Sequence, residues 1–73
     1  MLNDPKFMDW LREQHDRKDL VGKLAKIVRS DPRAGNLRGA RDLSQRLNLD
    51  EADYEMYEAL DQANDEFRQE TLH

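Results

Sequence analysis

Residues 50–70, DEADYEMYEALDQANDEFRQE, decide the fold. Met56, Tyr57, Leu60, Ala63, Asn64 and Phe67 recur at three- and four-residue spacings, which align side chains along one face of a helix with 3.6 residues per turn. The pattern predicts one long amphipathic helix over 50–70 with that face in the core. Projected at about 100° per residue, Glu51, Glu55, Glu58, Asp61 and Asp65 fall on the opposite side, with Tyr54 beside the acids rather than with the core. Asp50 is the expected N-cap, and Asp53 stands where a capping box would carry Glu or Gln. Like charges four apart, such as Glu51 and Glu55, destabilise a helix by about 0.2–0.5 kcal/mol per pair, partly offset by the helix N-terminus.

Three shorter helices are expected ahead of this one. Asn3-Asp4-Pro5 reads as a helix start, because Asp4 can accept from a free backbone N–H and proline suits the first helical position. That helix should run to about Gln14 and bury Phe7, Trp10 and Leu11, with Trp10 as the anchor and Met8 at the edge. Asp19 is the favoured cap of a second helix, whose apolar stripe is Leu20, Val21, Leu24, Ile27 and Val28 and whose opposite face carries Lys23, Lys26 and Arg29. Ser30-Asp31-Pro32 stops it, since proline turns the preceding residue away from helical dihedrals. Turn residues 33–36 then lead to a third helix capped by Asn36, burying Leu37, Ala40, Leu43 and Leu47 and exposing Arg38, Arg41 and Arg46. Gly39 inside that helix would cost about 1 kcal/mol relative to alanine.

Composition sets the class. The chain has 73 residues, 37% hydrophobic and 38% charged, with no cysteine. A chain near this size buries about 60% of its unfolded surface, so a single lean domain over residues 1–73 is expected. Nothing approaches the roughly 18 consecutive apolar residues of a membrane span, and MLNDPKFMDW has neither the basic nor the apolar region of a signal peptide. Without cysteines there is no disulfide framework, and a cytoplasmic monomer away from membranes is the expectation. Residues 1–49 hold 11 Lys or Arg against 7 Asp or Glu, a balance of +4, whereas residues 50–73 hold Arg68 against 9 acids, a balance of −8. This asymmetry points to charged macromolecular partners.

The stretch FMDWLREQHDRKDLVGKLAKIVRSDP, residues 7–32, resembles the YozE family of small bacterial and phage helical proteins. The resemblance rests on Phe7, Trp10, Leu11, Arg17, Asp19, Gly22, Leu24, Ala25, Asp31 and Pro32, and more weakly on Tyr57, Leu60, Ala63 and Phe67. It departs at Arg33-Ala34, where that family continues with Phe-Pro, and at Asn64, where a large aromatic is expected. It implies an all-α, SAM-like bundle of four helices, or five with a short extra turn, and no catalytic residue. By length, its Asn3-Asp4-Pro5 start and its acidic last helix, the whole chain also resembles small phage transcription regulators that bind host RNA polymerase. That likeness implies inhibition of initiation, a role in antitermination and a place in the host cytoplasm.

The residue chemistry excludes less than it suggests. His15 and His73 have no carboxylate cluster at ligand spacing, so neither a metal, a cofactor nor an enzymatic activity is expected. The expected partner-binding residues are Glu51, Tyr54, Glu55 and Glu58 on the acidic face and Lys23, Lys26, Arg29, Arg38 and Arg41 on the basic faces. An aromatic ring flanked by acids can anchor a contact while the charges steer the approach. As an alternative, the second and third helices could form a helix-turn-helix presenting arginines to phosphates, although their connector exceeds the usual 3–4 residue turn. A further alternative has the acids of the last helix imitate DNA phosphates. Acids on the outer face also simply serve solubility.

Overall fold

The computed structural model describes residues 3–49 and 51–71, and all regular structure among them is helical. Helix α1 spans Pro5–Glu13, α2 Leu20–Ser30, α3 Ala40–Leu49 and α4 Tyr54–Thr71, with 3-10 turns at Gln14–Asp16 and Pro32–Asn36. Two expected caps form. The Asp4 carboxylate accepts from the Lys6 N–H at 3.0 Å, and the Asp19 carboxylate from the Gly22 N–H at 3.1 Å.

The other three helices pack on α4. Met56, Leu60, Ala63 and Phe67 are buried as expected, Ala59 joins them, and Tyr57 and Asn64 are half-buried. Phe67 meets Phe7 edge-on, with ring centroids 5.4 Å apart, and Trp10 closes the group at 6.1 Å from Phe7 and 5.9 Å from Phe67. The expected roles of Met8 and Trp10 are exchanged: Met8 is buried, whereas Trp10 packs half-buried against the core. The indole N–H explains this. It donates to the Glu70 carboxylate at the surface, a partner the deep core lacks.

On α2 the buried face is Val21, Leu24, Ala25 and Val28 with Gly22, and Ile27 is 45% exposed instead of lying in the core. A Cβ on Gly22 would lie 1.9 Å from the Arg17 carbonyl oxygen, so glycine is required where the chain doubles back ahead of the helix. Lys23, Lys26 and Arg29 are exposed as expected.

The third helix starts three residues later than expected. Residues 32–36 continue as a 3-10 turn that buries Ala34, whose carbonyl accepts from Arg12 at 3.2 Å, so Asn36 caps nothing and Leu37 is not helical. Gly39 accordingly stands ahead of α3, not inside it. A Cβ there would lie 2.5 Å from the Asp4 nitrogen and 2.9 Å from the Asn3 Cα. A side chain is sterically excluded from that cap position, and a distant residue supplies the cap. Asn3 Oδ1 accepts from the Asp42 N–H at 3.1 Å, Asn3 Nδ2 donates to Asp42 Oδ1 at 3.1 Å, and Asp42 Oδ2 accepts from the Arg38 N–H at 3.0 Å. Arg46, expected on the outside of α3, is half-buried.

The long helix is also shorter than expected at its start. Asp50, the expected cap, lies outside the described residues, and α4 begins at Tyr54, with the Met56 N–H donating to the Asp53 carbonyl at 2.9 Å. Glu51 adopts a left-handed conformation, φ 52°, in the connection. Its N–H donates to the Asn48 carbonyl at 3.3 Å and the Ala52 N–H to the Leu47 carbonyl at 3.0 Å, the two bonds of a Schellman cap on α3. Glu51 therefore belongs to a turn and does not share a helical face with Glu55.

Two substitutions test these corrections by equilibrium unfolding in denaturant. Gly39→Ala would stabilise by about 1 kcal/mol at an exposed helix-interior site, but here it should destabilise by about 1–3 kcal/mol through the clash with residues 3 and 4. Glu51→Gly should stabilise by about 0.5–1 kcal/mol, because it removes a left-handed penalty of about 1–2 kcal/mol while adding about 0.5–1 kcal/mol of unfolded-state entropy.

Candidate protein-interaction surface

The burial pattern of α2 and α4 sends their charged residues outward, and the packing then brings the two sets together. Arg17, just ahead of α2, reaches Glu66 late in α4 at 3.1 Å, whereas Lys23 within α2 reaches Glu55 at the start of α4 at 3.2 Å. The helices thus run antiparallel. Lys23 and Glu55, expected on separate basic and acidic surfaces, are partners across one open groove of about 650 Å³, whose walls include Arg17, Lys18 and Lys26 on one side and Gln62 on the other. Both side chains of the pair are more than half exposed, so the bridge contributes about 0–1 kcal/mol, screened by salt.

A latch at the start of α2 fixes the end of this groove. The Arg17 guanidinium donates to Asp19 at 2.5 Å and to Gln14 at 3.4 Å in addition to its contact with Glu66. The bond to Asp19 raises the Arg17 pKa, with Glu66 adding to it against a partial loss of solvent. Asp19 is lowered in turn, first by Arg17 and then by the Gly22 N–H. Arg17, Asp19 and Gly22 thus each have a structural task here.

Two further cap carboxylates are lowered. Asp31 accepts from the Arg33 N–H at 2.9 Å, with Arg33 and Arg46 adding positive charge nearby, and Asp42 accepts from the Arg38 N–H and from Asn3.

The expected basic set is divided. Tyr57 Oη and Asn48 Oδ1 lie 2.7 Å apart, joining the end of α3 to the start of α4, so α3 and α4 form an antiparallel hairpin. Arg38 and Arg41, exposed at the start of α3, lie toward the other end of the bundle from Lys26 and Arg29, late in α2. Arg38 precedes α3 and is not part of it. On the acidic side, Glu55, Glu58, Asp61 and Asp65 are all exposed on α4, with Tyr54 76% exposed at its first residue.

Sequence reasoning missed Leu49, which is 77% exposed at the last residue of α3. Its displacement from the 40, 43, 47 stripe was the available signal. It also missed the Arg17 latch, because the charged run 16–19 reads as a break in apolar periodicity.

Among the described residues no group of three or more His, Cys, Asp or Glu could hold a metal ion, and no helix is long and apolar enough to cross a membrane. His15 Nδ1 lies 3.1 Å from the Asp16 carboxylate in the first 3-10 turn, and His73 lies outside the described residues.

The lowered folded-state values of Asp19, Asp31 and Asp42 give an acid limb of definite sign. Their stabilisation is fully present above the ordinary aspartate value of about 3.9 and is lost as the pH falls through the lower folded values. Thermal melts from pH 7 to pH 2 should show the fall, and Asp19→Asn should lower the melting temperature at pH 7 while flattening that limb. Comparison of the chain with models of protein families, with curated proteins and with solved structures finds no match.

Proposed function

We propose that this chain is a non-enzymatic regulator that binds bacterial RNA polymerase in the host cytoplasm, inhibits initiation and acts in antitermination, in keeping with its resemblance to small phage regulators and the YozE-like, SAM-like pattern of its first half. The observation that carries the reading is Tyr54. A large aromatic ring, 76% exposed at the first residue of the helix that supplies much of the core, stands beside Glu55 and Glu58 on that helix and Glu51 in the turn before it. The ring supplies area for a contact and the acids supply a field that attracts a basic surface. Such a factor needs no chemistry of its own, only a rigid scaffold, and a monomer suffices.

The helix-turn-helix alternative draws on Arg38 and Arg41. Residues 31–39 separate α2 from α3, and both helices pack more extensively on α4 than on each other, which gives that alternative less support. Imitation of DNA phosphates by the acids of α4 changes the partner, not the surface.

Binding of purified bacterial RNA polymerase, followed at two salt concentrations, tests the proposal. Glu58→Gln should slow association and reduce its salt dependence, whereas Tyr54→Ala should chiefly speed dissociation. Glu55→Gln should likewise slow association, since it removes one negative charge and leaves the Lys23 ammonium without its partner. Wild-type protein should reduce promoter-dependent transcripts and increase read-through of a terminator. Absence of binding, or binding to duplex DNA that falls with charge reversal at Arg38 and Arg41, would replace this reading.

A further inference from the structure

The groove between α2 and α4 is lined by four cations, Arg17, Lys18, Lys23 and Lys26, against two carboxylates, Asp19 and Glu55. Both carboxylates are already engaged. Asp19 accepts from Arg17 and from the Gly22 N–H, Glu55 pairs with Lys23, and Arg17 is held by Glu66 as well. Among the described residues Lys18 and Lys26 form no ion pair, so the groove has two ammonium groups to offer.

No acid interrupts the wall that α2 makes. Residues 20–30 contain none, and the exposed positions among them are Lys23, Lys26, Ile27, Arg29 and Ser30. Leu20, half-buried, also lines the groove, and Lys23 and Ile27 follow it at three- and four-residue spacing, which sets apolar surface beside the cations on one face. The remaining acids of α4 lie elsewhere. At about 100° per residue, Glu58, Asp61 and Asp65 fall about 60–120° further round the helix from Glu55, on the side away from the core, and none of them lines the groove. Charges beyond about 8 Å are largely screened at physiological salt, so the lining, rather than the overall charge of −4, governs a ligand lying in the groove.

We propose that this groove receives a glutamate- or aspartate-rich segment of a partner protein, whose carboxylates pair with Lys18 and Lys26 and whose apolar side chains lie against Leu20. Lys23 joins them by exchange. Its bridge to Glu55 links two side chains that are each more than half exposed, so a partner carboxylate can take the place of Glu55. Gln62 on the facing wall offers its amide to the backbone of the segment. Cationic, apolar and amide groups together suit a peptide, whereas a phosphate chain uses the cations alone and meets Glu55 across the groove. The inference goes beyond the contact proposed at Tyr54, and one substitution moves the two in opposite directions.

The test titrates the full chain with a synthetic peptide of glutamate and leucine at amphipathic helical spacing, with a lysine-leucine peptide of the same pattern and inorganic tripolyphosphate as controls. Thermal melts check that each variant keeps the fold. The acidic peptide should shift amide resonances of residues 17–27 and 55–62, and Lys18→Gln/Lys26→Gln should weaken its binding about tenfold. Glu55→Gln should tighten it about threefold by releasing Lys23. Glu58→Gln removes the same charge without freeing a lysine and should tighten it less. Equal or tighter binding of the lysine-leucine peptide at these residues, tripolyphosphate binding there as tightly as the acidic peptide, shifts centred on residues 38–46, or equal effects of Glu55→Gln and Glu58→Gln would overturn the proposal. With RNA polymerase, Glu55→Gln is expected to slow association instead. A polymerase that does not bind therefore removes the regulator reading and leaves the groove, whereas an acidic peptide that does not bind removes the groove and leaves the regulator reading.

Discussion

The buried stripe of α4, from Met56 to Phe67, is where α1, α2 and α3 converge, and the rest of the structure follows from that convergence. A lean core cannot give each helix its own partner, so one helix carries an apolar surface shared by three. Ala59 and Ala63 are both fully buried on it, and their small side chains let neighbouring backbones approach. The opposite face of the same helix is left to water, which is why the acids concentrate there. Core and charged surface are two sides of a single element.

Much of this was legible because it is periodic or local. The buried residues of α4, the stripe of α2 apart from Ile27, and the caps by Asp4 and Asp19 all follow from spacings within a few residues. The failures share a cause, which is contact between residues far apart in the chain. Gly39 looks like a weak point in a helix until residues 3 and 4 are laid against it, and Asn36 looks like a cap until Ala34 is drawn into the core. Trp10 looks like the centre until Glu70 offers its N–H a partner at the rim. The candidate surface was legible in the same partial way: the acids and Tyr54 belong to one helix, but the bridge from Lys23 to Glu55 joins segments whose register no periodicity reveals.

That bridge alters the electrostatic reading. Treated as halves, the chain is a cation joined to an anion, but the antiparallel course of α2 and α4 sets part of the positive charge directly beside part of the negative. What remains is less a dipole than two separated patches, with Arg38 and Arg41 near one end and the acids around Tyr54 near the other. The end around Tyr54 carries both signs, since Lys26 and Arg29, exposed late in α2, share it with those acids.

The cap that Asn3 provides for α3 reaches across 39 positions of sequence, and closing a loop of that length costs about 3 kcal/mol in chain entropy by the logarithmic rule, before any constant. Two side-chain hydrogen bonds at about 1 kcal/mol each do not meet that cost unaided. The first turn of α3 therefore depends on the aromatic cluster of Phe7, Trp10 and Phe67 holding α1 on α4. The order of α3 is in this sense inherited from α1, and the middle of the chain takes its final shape from its beginning.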